Sequence, residues 1–302
     1  MFSSSARLLH KSFASVKAAA ANMSSNVPSF KSLAVTVPKP FVYHVEFNRP
    51  EKVNAMNQTM WTEIGQCFNE LSFNPDCRVI VVSGAGKLFT AGIDVKDLMR
   101  VAPELAEAED VARKAKILQQ LISRFQASFS SMEECSKPVL AAVHSACIGA
   151  GVDFVSGVDI RYCSKDAYFQ VKEVDMGMAA DVGTLQRLPK IIGNQGLVRE
   201  LCLTGRKMMA DEALSQGLVS KVFDDKEKMM DGVLKIAEDI ASKSPVAVQG
   251  IKRSLIYARD HSVRDSLDQI ASWNQFMLQS DDFASAVMAQ ATKSDDIEFS
   301  KL

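Results

Sequence analysis

Three carboxyl side chains stand in largely apolar company in one part of the chain: Asp153 in GVDF, Glu173 in VKEVDMG and Asp181 in AADVG. Ahead of the first, the apolar run Pro138–Val143 gives way to Gly149-Ala150-Gly151 and then Val152-Asp153-Phe154-Val155. That pattern reads as a strand, a turn that starts through Ser145–Cys147, and a helix beginning. Glycines at 149 and 151 let another backbone, or a ligand, approach closely. A helix start also presents unpaired N–H groups at the positive end of its dipole, which suits a developing anion. An anion-stabilising turn with several acids beside it is equipment for moving protons next to a carbonyl.

A second stretch repeats the plan. Arg78–Ser83 is a short, nearly continuous apolar strand of the kind covered on both faces. Gly84-Ala85-Gly86 ends it, and Phe89-Thr90-Ala91-Gly92-Ile93-Asp94-Val95 is a small-residue turn opening onto a helix. Two strand–turn–helix units, at 78–98 and 138–157, can each aim a backbone N–H at one point. One Gly-rich turn is a weak signal, because most only accommodate packing; the duplication carries the reading.

Each acid also has a plainer reading. Lys172-Glu173-Val174-Asp175 fits an ordinary solvated loop. Asp181 fits a cap for a helix starting near Gly183-Thr184. Asp153 within an apolar helix is harder to dismiss, since unpaired buried acids are rare.

These residues need a framework. AVTV and FVYHVEF, between Ala34 and Phe47, read as a hairpin-like start broken at Pro38-Lys39-Pro40. Asn57 caps a following helix, TMWTEIGQCFNELSF. Residues 104–135 read as one long helix, with Ile117, Leu121 and Phe125 on its buried side. Beyond Pro189 the pattern is mostly helical: IIGNQGLVRELCLTG, Ala210–Gln216, a strand-like Leu218–Phe223, then helices at about 225–243, 245–260, 263–279 and from Asp281. Alternating strands and helices followed by a run of helices predict an α/β core with a helical C-terminal section.

The 302 residues, 47% of them hydrophobic, suffice for a large core. A net charge of −1 without a basic stripe speaks against nucleic-acid binding, and the apolar runs are too short to span a membrane. Six scattered cysteines without a C-x-x-C pair read as reduced, buried thiols. No metal-ligand spacing or nucleotide fingerprint appears. Residues 1–25 carry Arg7, Lys11 and Lys17 among Ser, Ala and Leu without an acid. They read as a mitochondrial transit segment, or else as a disordered basic tail. Ser300-Lys301-Leu302 matches the peroxisomal address.

NRPEKVNAM, FTAGIDV, KPVLAAVHSACIGAGVDF, DIRYC and QVKEVDMGMAADVGTLQRLP, in this order, resemble the crotonase (enoyl-CoA hydratase/isomerase) superfamily over roughly 35–300. Asp153, the KEVD segment, AADVGTLQRLPK and the terminal SKL resemble the members that isomerise 3,5-dienoyl-CoA to 2,4-dienoyl-CoA. The resemblance implies a crotonase-like spiral of β-β-α turns over 34–225 and a helical section over 226–299 that builds trimers pairing into hexamers. It implies an acyl-CoA whose thioester oxygen lies between the N–H groups of Ile93 and Ala150, with Gly92, Asp94, Val95, Lys96 and Gly151 around it. Ala150 stands where a glycine is more usual; its N–H survives the change.

For that reaction the resemblance assigns a base at C2, Glu173, and an acid at C6, Asp181, with Asp153 tuning the pair; the two assignments can also be reversed. No cofactor beyond the CoA portion of the substrate is expected. His144 reads as a packing residue, His44 and His261 lack partners nearby in sequence, and Met176, Met178, Met208 and Met209 read as core or acyl-pocket lining. Two other functions compete. One is enoyl-CoA hydration, which generally uses two glutamates and leaves Asp181 without a role. The other is a crotonase fold kept as a non-catalytic scaffold or RNA-binding module.

Overall fold

The structure, a computed structural model, describes residues 27–294 and 297–302, so the transit reading of 1–25 lies outside the described residues. Strands β1 (Leu33–Lys39) and β2 (Val42–Phe47) form an antiparallel hairpin. The expected break is narrower than Pro38–Pro40: Pro38 stays in the strand, and the register shifts between Thr36 and Lys39. Helix α1 (Gln58–Phe73) follows, with the Asn57 side chain accepting from Met60 N at 3.0 Å as its cap. Next come β3 (Val79–Gly84), two short helices α2 (Val95–Leu98) and α3 (Ala102–Glu107), and the long α4 (Val111–Glu134). The single helix expected over 104–135 is thus two. The chain restarts at Asp110, whose carboxylate caps α4 by accepting from Arg113 N at 2.9 Å.

The second unit comprises β4 (Val139–Val143), β5 (Ala146–Ile148), α5 (Ala150–Ser156), β6 (Ile160–Ser164) and β7 (Tyr168–Gln170). The turn expected through Ser145–Cys147 is therefore mostly strand, because β5 pairs in parallel with β7. Then follow α6 (Thr184–Ile191), α7 (Gln195–Thr204), β8 (Met208–Met209), α8 (Ala210–Ser215) and β9 (Lys221–Phe223). The last helices are α9 (Lys226–Ala241), α10 (Pro245–Asp260), α11 (Val263–Met277) and α12 (Asp281–Thr292).

One sheet runs β1-β2-β3-β4-β6-β9, parallel from β2 onward, and a small second sheet runs β5-β7-β8. Every residue of β3 and β4 is buried, as their continuous apolar runs require of strands covered on both faces. Alternation divides them: Ile80, Val82, Val139 and Ala141 face the larger core, while Val79, Val81, Leu140 and Ala142 face Met229, Val233 and Ala237 of α9. Helices α10–α12 differ. Ser244, Ser262 and Ser280 cap them, yet their apolar residues stay outside, with Leu255 68%, Phe276 66% and Met288 64% exposed. The final residues return to the body: Arg78 donates to the carbonyls of Phe299 (2.6 Å) and Ser300 (3.3 Å), and Lys137 to that of Leu302 (3.0 Å).

Phe154 in α5 ties the larger core together. Its ring meets Phe47 at 4.9 Å and Phe129 at 5.5 Å, both edge to face. It also fixes the helix that carries Asp153. Phe154→Ala should cost about 3–5 kcal/mol, read as a lower urea midpoint at unchanged slope; a midpoint close to wild type would refute this account of the core.

Candidate active site

The two small-residue turns meet. Past β3 and β4 the chains pair again at Thr90 and Cys147, with Thr90 N donating to Ala146 O (3.1 Å) and Ile148 N to Thr90 O (3.2 Å). The approach is close enough to require glycine. A Cβ on Gly92, whose φ is +89°, would lie 2.7 Å from Ile148 O and 3.6 Å from Ala150 N. A Cβ on Gly151 would lie 2.5 Å from the Thr90 side chain.

Around the turns the backbone donors are committed. Gly92 N donates to Thr90 Oγ1, Asp94 N to Met56 O, Gly149 N to Gln170 O and Val152 N to Gly149 O. Ile93 and Ala150 are exceptions, as are Val95, Lys96 and Gly151 at the helix starts: among the described residues none of these N–H groups has an acceptor. Ile93 is paired with Met56 in a parallel bridge whose hydrogen bonds run through its neighbours, which leaves its own N–H turned away.

The three acids line one cavity of about 320 Å³. Asp153 is buried in α5, and its Oδ1 accepts from Thr184 N at 2.6 Å. It thereby caps α6, the task that the plainer reading gave to Asp181; that helix begins at Gly183 without a local side-chain cap. Burial pushes the Asp153 carboxyl up to about 6, against the Thr184 N–H, which favours the anion. Glu173 starts a 3-10 turn, Glu173–Met176, just after β7. Its neighbours Lys172 and Asp175 pair with each other at 3.0 Å in solvent, as the loop reading expects, whereas Glu173 turns inward. Glu173 Oε1 lies 3.2 Å from where a Cβ on Gly149 would sit, and its Oε2 is buried without a hydrogen-bond partner. Burial, helped by the negative charge of Asp153, raises this carboxyl to about 7. Asp181, on the loop before α6, is likewise raised by burial.

Gly92, Ile93, Val95 and Ala150 share the cavity lining with the acids, as do Met176 and Met178. Asp94, Lys96 and Gly151 do not. Asp94 pairs with Arg49 at 3.4 Å, Lys96 is exposed, and Gly151 is buried behind its turn. Much of the wall lies outside the sequence-based site: Leu118, Leu121, Ile122 and Phe125 of α4, and Trp61, which stacks on Phe125 at 4.3 Å. The spacing 118, 121, 122, 125 is an amphipathic signal that points to them. His144 binds Gly86 O at 3.1 Å, His44 binds Ser83 at 2.8 Å, and His261 stacks on Tyr257; none lines the cavity. Among the described residues no cluster of His, Cys, Asp and Glu is placed to hold a metal ion, and no helix is long and apolar enough to cross a membrane.

Residues 39–294 match the family model described as enoyl-CoA hydratase/isomerase. The chain is 57% identical over 278 residues to the mouse protein named mitochondrial Delta(3,5)-Delta(2,4)-dienoyl-CoA isomerase, covering 91% of this chain and 84% of that one. It is 46% identical over 252 residues to an Arabidopsis thaliana protein given the same activity and called peroxisomal, covering 83% and 90%. Among solved structures, a probable enoyl-CoA hydratase/isomerase from Mycobacterium abscessus superposes with a TM-score of 0.76 at 28% identity, covering 87% of this chain and 97% of that one.

The electrostatics can be measured directly. A 13C NMR titration of the Glu173 carboxyl should give a midpoint near 7. In Asp153→Asn the amide oxygen can still accept from Thr184 N but the negative charge is gone, so the Glu173 midpoint should fall. An unchanged midpoint would mean that the two acids do not interact.

Proposed function

The chain belongs to the enoyl-CoA hydratase/isomerase family, and on that footing we propose that it is an isomerase converting 3,5-dienoyl-CoA to 2,4-dienoyl-CoA in the oxidation of unsaturated fatty acids. One observation carries the reading: Glu173 brings one carboxyl oxygen up to the turn whose Ala150 N–H is free and keeps the other buried without a partner, in a cavity that also holds Asp181.

The mechanism follows from the substrate's acidity. The C2 protons lie between the thioester and the diene, and Glu173 removes one. The electron pair moves to the thioester oxygen, whose charge the N–H groups of Ile93 and Ala150 stabilise, each worth about 3 kcal/mol. When the dienolate collapses, double bonds form at C2–C3 and C4–C5, and C6 takes a proton from Asp181. Placement favours this order: C2 is one bond from the thioester carbon, so its base must stand beside the N–H turn, and Glu173 does. Asp181 is left for the distant carbon. Glu173 ends protonated and Asp181 ionised, and passing one proton back resets the pair, which titrates as a set with Asp153. Substrate and product have the same oxidation state, so acids and N–H donors suffice.

The assembly and compartments belong to the same reading. The exposed apolar residues of α10–α12 suit a further copy of the chain, in trimers that pair into hexamers. Residues 1–25 and Ser300-Lys301-Leu302, with relatives named mitochondrial and peroxisomal, support a reading in which it serves both organelles. Light scattering should give the hexamer mass for wild type and a smaller species for Phe276→Asp; a monomeric wild type would rule out the assembly.

Ultraviolet absorbance with a 3,5-dienoyl-CoA tests the chemistry. Wild type should generate the conjugated 2,4-dienoyl band, and Glu173→Gln and Asp181→Asn should each be at least about a hundredfold slower. Ala150→Pro replaces the N–H by a ring carbon, at a first helical position, and should cost a factor of at least about 100 to 1,000. A wild type that instead hydrates a 2-enoyl-CoA would make it a hydratase, and one that binds acyl-CoA without turnover would make it a binding protein.

A further inference from the structure

The segment between the 3-10 turn and α6 has no regular structure of its own, yet it must present Asp181 to the cavity. Side chains hold the backbone at its end at three points. Gln126 of α4 donates to Asp181 O at 2.7 Å, Arg187 of α6 donates to Val182 O at 3.3 Å, and Asp153 accepts from Thr184 N at 2.6 Å. The Arg187 guanidinium packs so tightly on the turn that a Cβ on Gly183 would lie 2.0 Å from its Nη1.

Arg187 is itself anchored on α4: its Nη2 donates to Ser130 Oγ at 3.1 Å and to Glu133 Oε2 at 2.7 Å. This is a nearly buried ion pair, its side chains 12% and 13% exposed. Glu133 also pairs through its other oxygen with Arg259 at the end of α10. Arg259 in turn contacts Asp260 at 3.1 Å, and Asp260 pairs with Lys190 of α6. A chain of charges thus runs from Arg187 through α4 to α10 and back to Lys190, and the backbone of α6 closes the ring.

We infer that Arg187 is a positioning residue for the Asp181–Thr184 turn, and that Glu133 and Arg259 make its grip depend on where α10 lies. The guanidinium suits the task because its planar fork donates in two directions at once, to the turn and to Glu133; an ammonium on a flexible stem offers no fixed fork. Arg187 does not line the cavity, so it acts through Asp181 and not on substrate. Because α10 also carries part of the apolar surface proposed for subunit contact, the ring gives assembly a physical route to the site.

The inference rests on the isomerase reading, and the test separates the two. Arg187→Lys keeps the charge and loses the fork. It should lower kcat tenfold or more with KM within twofold, and amides of 178–184 should exchange with deuterium several-fold faster than in wild type. Arg259→Gln leaves Arg187 in place and loosens only its outer anchor. It should lower kcat about threefold to tenfold with the same faster exchange, and it decides the matter if Arg187→Lys does not fold. Wild-type kcat and wild-type exchange in the folded variants would overturn the inference while leaving the isomerase intact. A wild type inert on dienoyl-CoA would instead overturn the functional reading, and exchange alone would then judge whether Arg187 holds the turn.

Discussion

Parallel pairing of β3 with β4 is the constraint from which the site follows. Ile80 pairs with Val139 and Val82 with Ala141, and beyond the strands the same neighbours pair again at Thr90 and Cys147. Ile93 and Ala150 each lie three residues beyond that second pairing. Equal displacement from a common register puts the two free N–H groups at equivalent places on adjacent chains. In the proposed reaction no side chain has to reach for the anion, since both donors are backbone groups anchored to the sheet. Rigidity matters here, because donors already oriented need no rearrangement when the charge develops.

The acids obey a second constraint, the cost of taking carboxylates out of water. The protein meets it differently at different places. Glu63 is buried with both oxygens satisfied, by the N–H groups of Lys31 and Ser32 at 2.8 Å each. Asp153 spends one oxygen on the N–H of Thr184. Glu173 leaves Oε2 with nothing, and burial together with the charge of Asp153 raises its carboxyl to about 7. An unmet hydrogen bond beside a neighbouring anion is a defect in a structural carboxylate. In a base working near neutrality it is the useful property, since the proton is gained and released at similar cost.

Sequence showed the framework better than the walls. Continuous apolar runs in Val79–Gly84 and Val139–Val143 announced doubly covered strands, and the paired small-residue turns announced where they would meet. Family resemblance, more than spacing, singled out the three acids; alone, Glu173 was indistinguishable from the solvated Lys172 and Asp175 beside it. What separates them is which way a 3-10 turn rotates, and no local pattern encodes that. The cap of α6 was legible only as a need. An Asp stood close by at 181, but the acceptor comes from Asp153, on a different helix. The role of Ala146–Ile148 as a strand was hidden for a similar reason, since its partner β7 is distant in sequence and only three residues long. Nothing in the sequence singles out Arg187, Glu133 and Arg259, which only the fold brings together.

The cavity therefore has two halves with different origins. Proton-handling groups come from α5, the turn after β7 and the loop before α6, all bound to the sheets or to the charge ring. The apolar wall comes from one stripe of α4 and from Trp61, which stacks on both Phe125 and Phe129 and so transmits the packing of the larger core to the wall. Leu118, 38% exposed, stands at the outer end of that stripe, with Leu121 and Ile122 half-buried beside it. In the proposed reaction, changing their volume would alter which acyl chain fits while leaving the acids and donors on their own elements. Under the proposed function, a division of this kind would let one proton-transfer framework serve substrates of different shape, with the apolar stripe of α4 setting which of them fits.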